Sequence, residues 1–415
     1  MRRTGTNTQE GGLSIIHINK KHTYRGAVVG YGNLGTRHAE VMSGLEPLRL
    51  VAVADQLAEA RARAAQDFPG VTLYEDPAEM FRTEDLDIVA IVTHASGHAP
   101  LSLLAADHGA HVVCEKPMAA SLAEADTMVA HFEEAGRQLV IDHQFRLGPG
   151  ATTTAALLDE GAIGRLQTIK ANFTKSRPAG WELGVTGTHV FDMVCKIAGN
   201  PTDCIAHILT DGIDASRDDI KRGGYWTPSG MVDYGNPLHL GDNGWVVGDS
   251  LGAVFRFDSG AVMLAEGYVS DTYPYSGPRI EIAGERRQGE RRKRGDRVLI
   301  ELRGPKGRLR VCGNAFDEVY VARGAYPEDE KHNIPWQPVA LPARPERPTM
   351  SYMAATIAPV YEQLIRAIEH GEPHPCSGVG GRRAMEMISA IFASHFAGAA
   401  VTLPLVDRSD PLAPR

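Results

Sequence analysis

Cysteine is scarce: five residues, Cys114, Cys195, Cys204, Cys312 and Cys376, odd in number and with no CxxC pair. That excludes a disulfide framework and a cysteine zinc site, and it is the usage of free thiols in a reducing compartment. Long apolar runs are missing too. None approaches the roughly 18 residues needed to cross a bilayer, so no membrane span is expected. A basic excess is also absent. Lys and Arg number 43 against 51 Asp and Glu, a formal charge of −8, which suits a general nucleic-acid binder poorly. Arg2 and Arg3 are followed by a polar stretch, and Ile15-Ile16-His17-Ile18 is too short and broken for a signal-peptide core. Residues 1–24 are therefore expected to be a disordered extension, and the protein to be cytoplasmic.

What is present is an ordinary globular composition, 43% apolar and 23% charged, over 415 residues. That suffices for two or three domains and a large core. From Tyr24 onward, short apolar runs at 26–30, 48–54, 71–74, 87–92, 111–114 and 138–141 alternate with helical stretches, among them 36–45, 100–107 and 122–135. Strand and helix in alternation predict a doubly wound parallel sheet covered on both faces.

After Arg146 the rhythm changes. A helix over 151–159 precedes strand-like runs at 166–173, 205–209, 245–257, 261–269, 279–282, 298–302, 309–311 and 318–321, with few helices between them. This half reads as an α+β domain with a large, mostly antiparallel open sheet. Helices over 352–369 and 382–396 close it. The arginine-dense stretch 285–297 reads as a solvated hairpin tip. The long loop 211–243, with Tyr225, Trp226, Tyr234 and His239, reads as a cleft wall or a subunit contact.

Three motifs carry chemistry. Gly30-Tyr31-Gly32-Asn33-Leu34-Gly35 is a GxGxxG turn between a strand and a helix. Gly30 allows the tight turn, Gly32 the approach of a pyrophosphate, and Gly35 close packing of helix on sheet; the helix N-terminus then faces the phosphates. Asp55, 20 residues beyond Gly35 at the end of the next strand, is placed for the ribose hydroxyls. Its charge disfavours a 2′-phosphate, so NAD is expected rather than NADP. Glu115-Lys116-Pro117 follows the fifth strand, setting Lys116 at the carboxyl edge of the sheet, where an ammonium can stabilise an alkoxide. In Gly187-Thr188-His189-Val190-Phe191-Asp192, His189 is suited to accept a hydroxyl proton near neutral pH.

In this order and spacing the motifs resemble the glucose-fructose oxidoreductase, inositol dehydrogenase and rhizopine-catabolism family (Gfo/Idh/MocA), from about Arg25 to Leu405. Thr93 to His98 resembles the family's TPNxxH loop, residues 109–117 its GKHVxxEKP, Phe145-Arg146 its arginine motif and residues 187–192 its GxHxxD. The resemblance implies an NAD-binding Rossmann domain over 25–147, a substrate-binding and oligomerisation domain over 148–405, and a C-terminal tail over 406–415. It also implies homodimers or homotetramers. The implied reaction is hydride transfer between nicotinamide and a secondary hydroxyl or ketone of a sugar, polyol or cyclitol, with Lys116 and His189 catalytic. Cofactor contacts then fall to Gly30, Gly32, Asn33, Leu34, Gly35, Asp55, Thr93, His94, His98, Glu115, Lys116 and Gln144. Substrate contacts fall to Lys116, Arg146, Arg177, Trp181 and His189.

Departures from the family pattern matter. The usual aspartate four residues before the histidine is Val185, so a carboxylate partner for His189 would have to come from Glu182 or Asp192, or a hydroxyl from Thr186. His94 and Ala95 stand where the family has Pro and Asn. The His94/His98 spacing belongs to an expected loop without a carboxylate or cysteine to complete a metal site, and no metal is expected. Two alternatives stay open: a redox glycoside-cleaving enzyme that releases no net NADH, and a non-catalytic metabolite sensor.

Overall fold

Six apolar runs become β1 (Tyr24–Val29), β2 (Leu48–Ala54), β3 (Thr72–Tyr74), β4 (Ile88–Ile91), β5 (His111–Cys114) and β6 (Leu139–Ile141) in the computed structural model. The structure describes residues 23–174, 179–222, 225–227, 230–232, 245–268, 298–313, 315–324 and 335–413. Residues 1–22, Arg177, Tyr234, His239 and the stretches 279–282 and 285–297 lie outside the described residues. No helix among those described is long and apolar enough to cross a membrane.

The six strands form one parallel sheet in the order β3-β2-β1-β4-β5-β6. Its central strands are unbroken apolar runs because both faces are covered: Ile88, Val89, Ala90 and Ile91 are all fully buried. The covering helices are α1 (Asn33–Gly44), α2 (Ala58–Asp67), α3 (Pro77–Thr83), α4 (Ala95–Asp107) and α5 (Leu122–Ala135). Strand order reverses between β1 and β4, and the crevice at the carboxyl ends of those strands is where such sheets hold ligands.

Two local readings change. Residues 77–83 are a helix that the periodicity did not announce, although its cap was in the sequence: Asp76 accepts the Ala78 N–H at 2.8 Å and Pro77 opens the first turn. Helix α4 starts at Ala95, a full turn before the expected start at Pro100. The stretch holding His94 and His98 is thus a helix start, not the loop expected. Proline usually opens a helix; one turn further in, Pro100 forfeits the bond to the carbonyl four residues back and crowds it, yet α4 carries through.

The second half contains α6 (Pro149–Asp159), β7 (Thr168–Asn172), α7 (Ala179–Glu182), a π-helical turn Leu183–Gly187, α8 (Thr188–Ala198) and β8 (Pro201–Thr210). Its large sheet runs Gln337–Pro338, Glu318–Arg323, Gly307–Gly313, Val298–Gly304, β7, Val262–Tyr268, Ser250–Phe257, β8, Val401–Thr402. Every pairing along it is antiparallel except β7 with Val262–Tyr268. Burial alternates along Ser250–Phe257, one side chain in and the next out, because only one face of the sheet is covered. Helix α10 (Gly378–Ala397) packs against β8, α8 and α5, whereas α9 (Tyr352–His370) returns to the first domain and packs on α1.

The glycine turn shows why its residues differ in their tolerance of change. Gly30 has φ +92°, and a Cβ there would strike the Val92 backbone. At Gly35 a Cβ would overlap the Gly30 carbonyl oxygen, whereas at Gly32 it would meet nothing within 4 Å. Chemical denaturation should therefore show Gly35→Ala destabilised by about 1–3 kcal/mol. Gly32→Ala should stay within about 0.5 kcal/mol of the parent.

Candidate active site

The nucleotide end is built from the first β-turn-α unit. Gly32 caps α1 without a side-chain hydrogen bond, leaving the first-turn N–H groups of the helix to whatever approaches. The turn is held by Asp55, whose Oδ2 accepts the Tyr31 N–H at 2.6 Å while Oδ1 accepts the Leu57 N–H at 2.8 Å. Each oxygen keeps a second lone pair for a ribose hydroxyl. The open space at Gly32, the uncapped helix end and this carboxylate together fit the pyrophosphate and ribose of a dinucleotide.

Lys116 leaves the end of β5, and its ammonium donates to the Val185 carbonyl at 3.3 Å. That bond crosses from the first domain to the π-helical turn of the second. π turns leave carbonyls out of register and recur at functional sites. Around this contact lies a cavity of about 430 Å³ whose wall includes Leu34, His94, Lys116, Pro117, Trp181 and Val185. It joins the mouth of the glycine turn to Lys116 and to the indole of Trp181. Apolar walls with a few convergent polar groups are the usual make-up of a small-molecule site.

Behind Lys116 is a polar network that sequence reading did not find. Glu115 Oε2 accepts the Lys116 N–H at 3.1 Å, and Oε1 faces His38 Nε2 at 3.3 Å. His38 Nε2 also lies 3.5 Å from Asp142 Oδ2, and His38 Nδ1 sits 2.6 Å from the Tyr361 hydroxyl of α9. All three acid and imidazole groups are buried. Burial opposes the charge on Glu115, but His38 and Lys116 hold its carboxyl below the usual range. Asp142 goes the other way: burial and the charge of Glu115 push it up to about 7. The sequence signal was faint, an Asp just past a strand end at the crevice edge.

His189 opens α8, four residues on from Val185, and is buried under the Phe145 ring (centroids 4.6 Å apart) and the edge of His143 (5.5 Å). The structure does not place it in the lining of the cavity described above. Asp192, on the same helix, is engaged by Arg146: one guanidinium nitrogen donates to Oδ1 at 2.8 Å and to the backbone carbonyl at 3.0 Å. His143 Nδ1 lies 3.5 Å from the same Oδ1. Burial disfavours the Asp192 charge, yet His143 and Arg146 hold its carboxyl below the usual range. Glu182 is buried and accepts the Thr186 hydroxyl at 2.6 Å. His98 spans two loops, with ring nitrogens 2.7 Å from the Pro117 carbonyl and 3.0 Å from that of Thr93. Gln144 is buried beside Met353.

The raised carboxyl of Asp142 has a measurable consequence. Folded chain holds a proton that unfolded chain releases near 3.8. The stability from that proton is complete below this value and is lost as pH rises through about 7. Asp142→Asn mimics the protonated form and removes this loss. Thermal melts should show Tm of the variant relative to the parent rising between about pH 4 and about pH 7 and levelling off above that.

Two family models match the chain in order. One, described as an oxidoreductase family with an NAD-binding Rossmann fold, matches residues 24–143, and the other, the GFO/IDH/MocA C-terminal domain, matches residues 152–288. Among curated relatives, D-apiose dehydrogenase of Paraburkholderia graminis is 37% identical over 141 residues, 34% of this chain and 38% of the relative. Myo-inositol 2-dehydrogenase of Thermotoga maritima is 26% identical over 62% of this chain and 72% of its own. The chain thus spans well under half of the first relative's length. Among solved structures, levoglucosan dehydrogenase in complex with NADH and levoglucosan superposes with a TM-score of 0.69 at 20% identity, over 92% of this chain and 100% of that one. An oxidoreductase from Agrobacterium radiobacter in complex with NAD+, L-tartaric acid and magnesium gives a TM-score of 0.67 at 18% identity, over 91% and 98%. With a glycine turn at the sheet's switch point, a lysine at the edge of β5 and both domain models in sequence, the chain belongs to the Gfo/Idh/MocA oxidoreductase family.

Proposed function

We propose that this protein is an NAD-dependent dehydrogenase acting on a secondary hydroxyl or ketone of a sugar, polyol or cyclitol. The observation that carries this reading is the single cavity in which the mouth of the glycine turn, the Lys116 ammonium and the Trp181 ring meet. Nicotinamide, when bound, supplies the hydride acceptor; the rest is the work of this chain's side chains. Lys116 donates a hydrogen bond to the substrate oxygen and stabilises its alkoxide character. His189, four residues on from the carbonyl that orients Lys116 but outside the lining of this cavity, is the group assigned to take the hydroxyl proton. Trp181 offers an apolar face to a sugar ring. Arg146 acts on the site through Asp192.

Asp55 favours NAD over NADP, since a carboxylate at the end of β2 would repel a 2′-phosphate. The neighbouring arginines do not offset it. Arg61 is bonded to the Asp55 and Gln56 carbonyls and to Glu75, and Arg63 to the Tyr31 carbonyl. Five free thiols favour a reducing compartment such as the cytoplasm for the reaction.

Absorbance at the NADH band during incubation with NAD and a panel of sugars and inositols tests the activity. Lys116→Ala and His189→Asn should each lower kcat by roughly 10²–10⁴-fold, with NADH affinity unchanged in His189→Asn. Turnover by neither parent nor variants with any carbinol or ketone defeats the reading.

We also propose that the open face of the large sheet joins two copies of the chain. Val254 is the direct cross-strand neighbour of both Ile205 and Leu264. The three form an exposed apolar row, with accessibilities of 36%, 45% and 49%, of the kind that marks an interface. Val254→Glu should shift the mass measured by light scattering from oligomer to monomer.

A further inference from the structure

Residues 401–413 lie beyond both regions matched by the family models, yet they run back to the cavity that holds Lys116. Val401–Thr402 pairs with β8, and the Leu403 N–H donates to the Thr202 carbonyl at 2.8 Å. Arg408 then clamps two helices that border the cavity. Its Nε and one terminal nitrogen fork onto the Asp126 carboxylate of α5 at 2.6 and 2.7 Å, and its other terminal nitrogen meets Glu386 of α10. Glu386 also accepts the Leu405 N–H at 2.9 Å. Leu412 is buried in the common core, and the Pro411 carbonyl accepts from Arg217 at 3.2 Å. Held at these points, Asp410 and Leu412 become part of the cavity wall.

Asp410 stands out there. Apart from Lys116 and the imidazole of His94, it is the only titratable group among the lining residues. Its Oδ1 accepts the Leu412 N–H at 2.9 Å, which fixes the carboxylate on its own turn. Among the described residues it forms no ion pair, so the charge is not spent on a neighbouring cation. Burial holds its carboxyl above the ordinary range, as expected for a group set into an apolar wall. A carboxylate is an acceptor with no donor of its own, and hydroxyl donors are what it can recognise.

We propose that Asp410 is the specificity-determining residue of this cavity. It accepts hydrogen bonds from hydroxyls of an uncharged sugar or polyol remote from the carbon beside Lys116, and it turns away substrates that carry a carboxylate there. The proposal rests on the dehydrogenase reading and narrows its substrate class. Discrimination comes from both sides: a charge-assisted bond to the right ligand and like-charge repulsion in a poorly solvated site for the wrong one. Because the tail is clamped by Arg408 and Leu412, the carboxylate is in place before the ligand arrives.

The test is calorimetric titration of the full chain loaded with NADH, at about pH 8 so that carboxylates are ionised. The probes are myo-inositol and D-glucose against D-glucuronate and D-galacturonate. The parent should bind at least one neutral probe, and bind the uronates at least about tenfold more weakly. Asp410→Asn should weaken the neutral probe about tenfold and bring the uronates to parity, with NADH affinity unchanged. The proposal is overturned if the parent binds no neutral probe, if it prefers a uronate, or if Asp410→Asn leaves the ratio where it was. Loss of NADH affinity in the variant overturns it as well, because Asp410 would then serve the fold. Turnover is read separately. A chain that shows this binding preference but reduces no NAD fails as a dehydrogenase while Asp410 keeps its assignment.

Discussion

One hydrogen bond organises the molecule: the Lys116 ammonium on the Val185 carbonyl. It is the point where a side chain from the edge of the nucleotide sheet meets backbone from the second domain, at the head of the cavity. Both partners are held from behind. Lys116 follows Glu115, whose carboxylate is fixed by His38, and Val185 belongs to a π turn continuous with α8. A flexible four-carbon stem aims well only when its root and its acceptor are both rigid.

The polar cluster behind Lys116 shows what that rigidity demands. Two carboxyls and an imidazole in an apolar core are stable only when nearly every charge is matched or neutralised. The structure splits the pair, with Glu115 kept ionised beside His38 and Lys116, and Asp142 favouring its proton. Tyr361 completes the set from α9, more than 300 residues along the chain from His38. Helix α9 therefore does more than cover the first sheet; it supplies a hydrogen-bond partner to the residue that steadies Glu115.

Around His189 the same economy of groups applies. With valine at position 185, the buried carboxylate on this helix is Asp192, which Arg146 and His143 share. Glu182 and Thr186, the other groups considered from sequence, are bonded to each other. His143 thus stands between the anion and His189 as a second imidazole, an arrangement that no spacing rule in the chain announces.

Local pattern was enough for the sheet order's ingredients and for the glycine turn. Buried parallel strands read as unbroken apolar runs, and Gly30 and Gly35 are required wherever a turn needs φ +92° or leaves no room for a Cβ. It was also enough for Lys116, because a residue directly after a strand of such a sheet has only one edge on which to lie. The start of α4 was misplaced because proline at a first turn and proline one turn in leave the same mark on a sequence. What required the tertiary structure was every partnership between distant segments: Asp142 and Tyr361 with His38, Asp192 with Arg146, and Asp410 with the cavity of Lys116. Hydrophobic period and turn chemistry act over a few residues and are written locally, whereas the pairing of buried charges depends on which segments folding brings within a few ångströms.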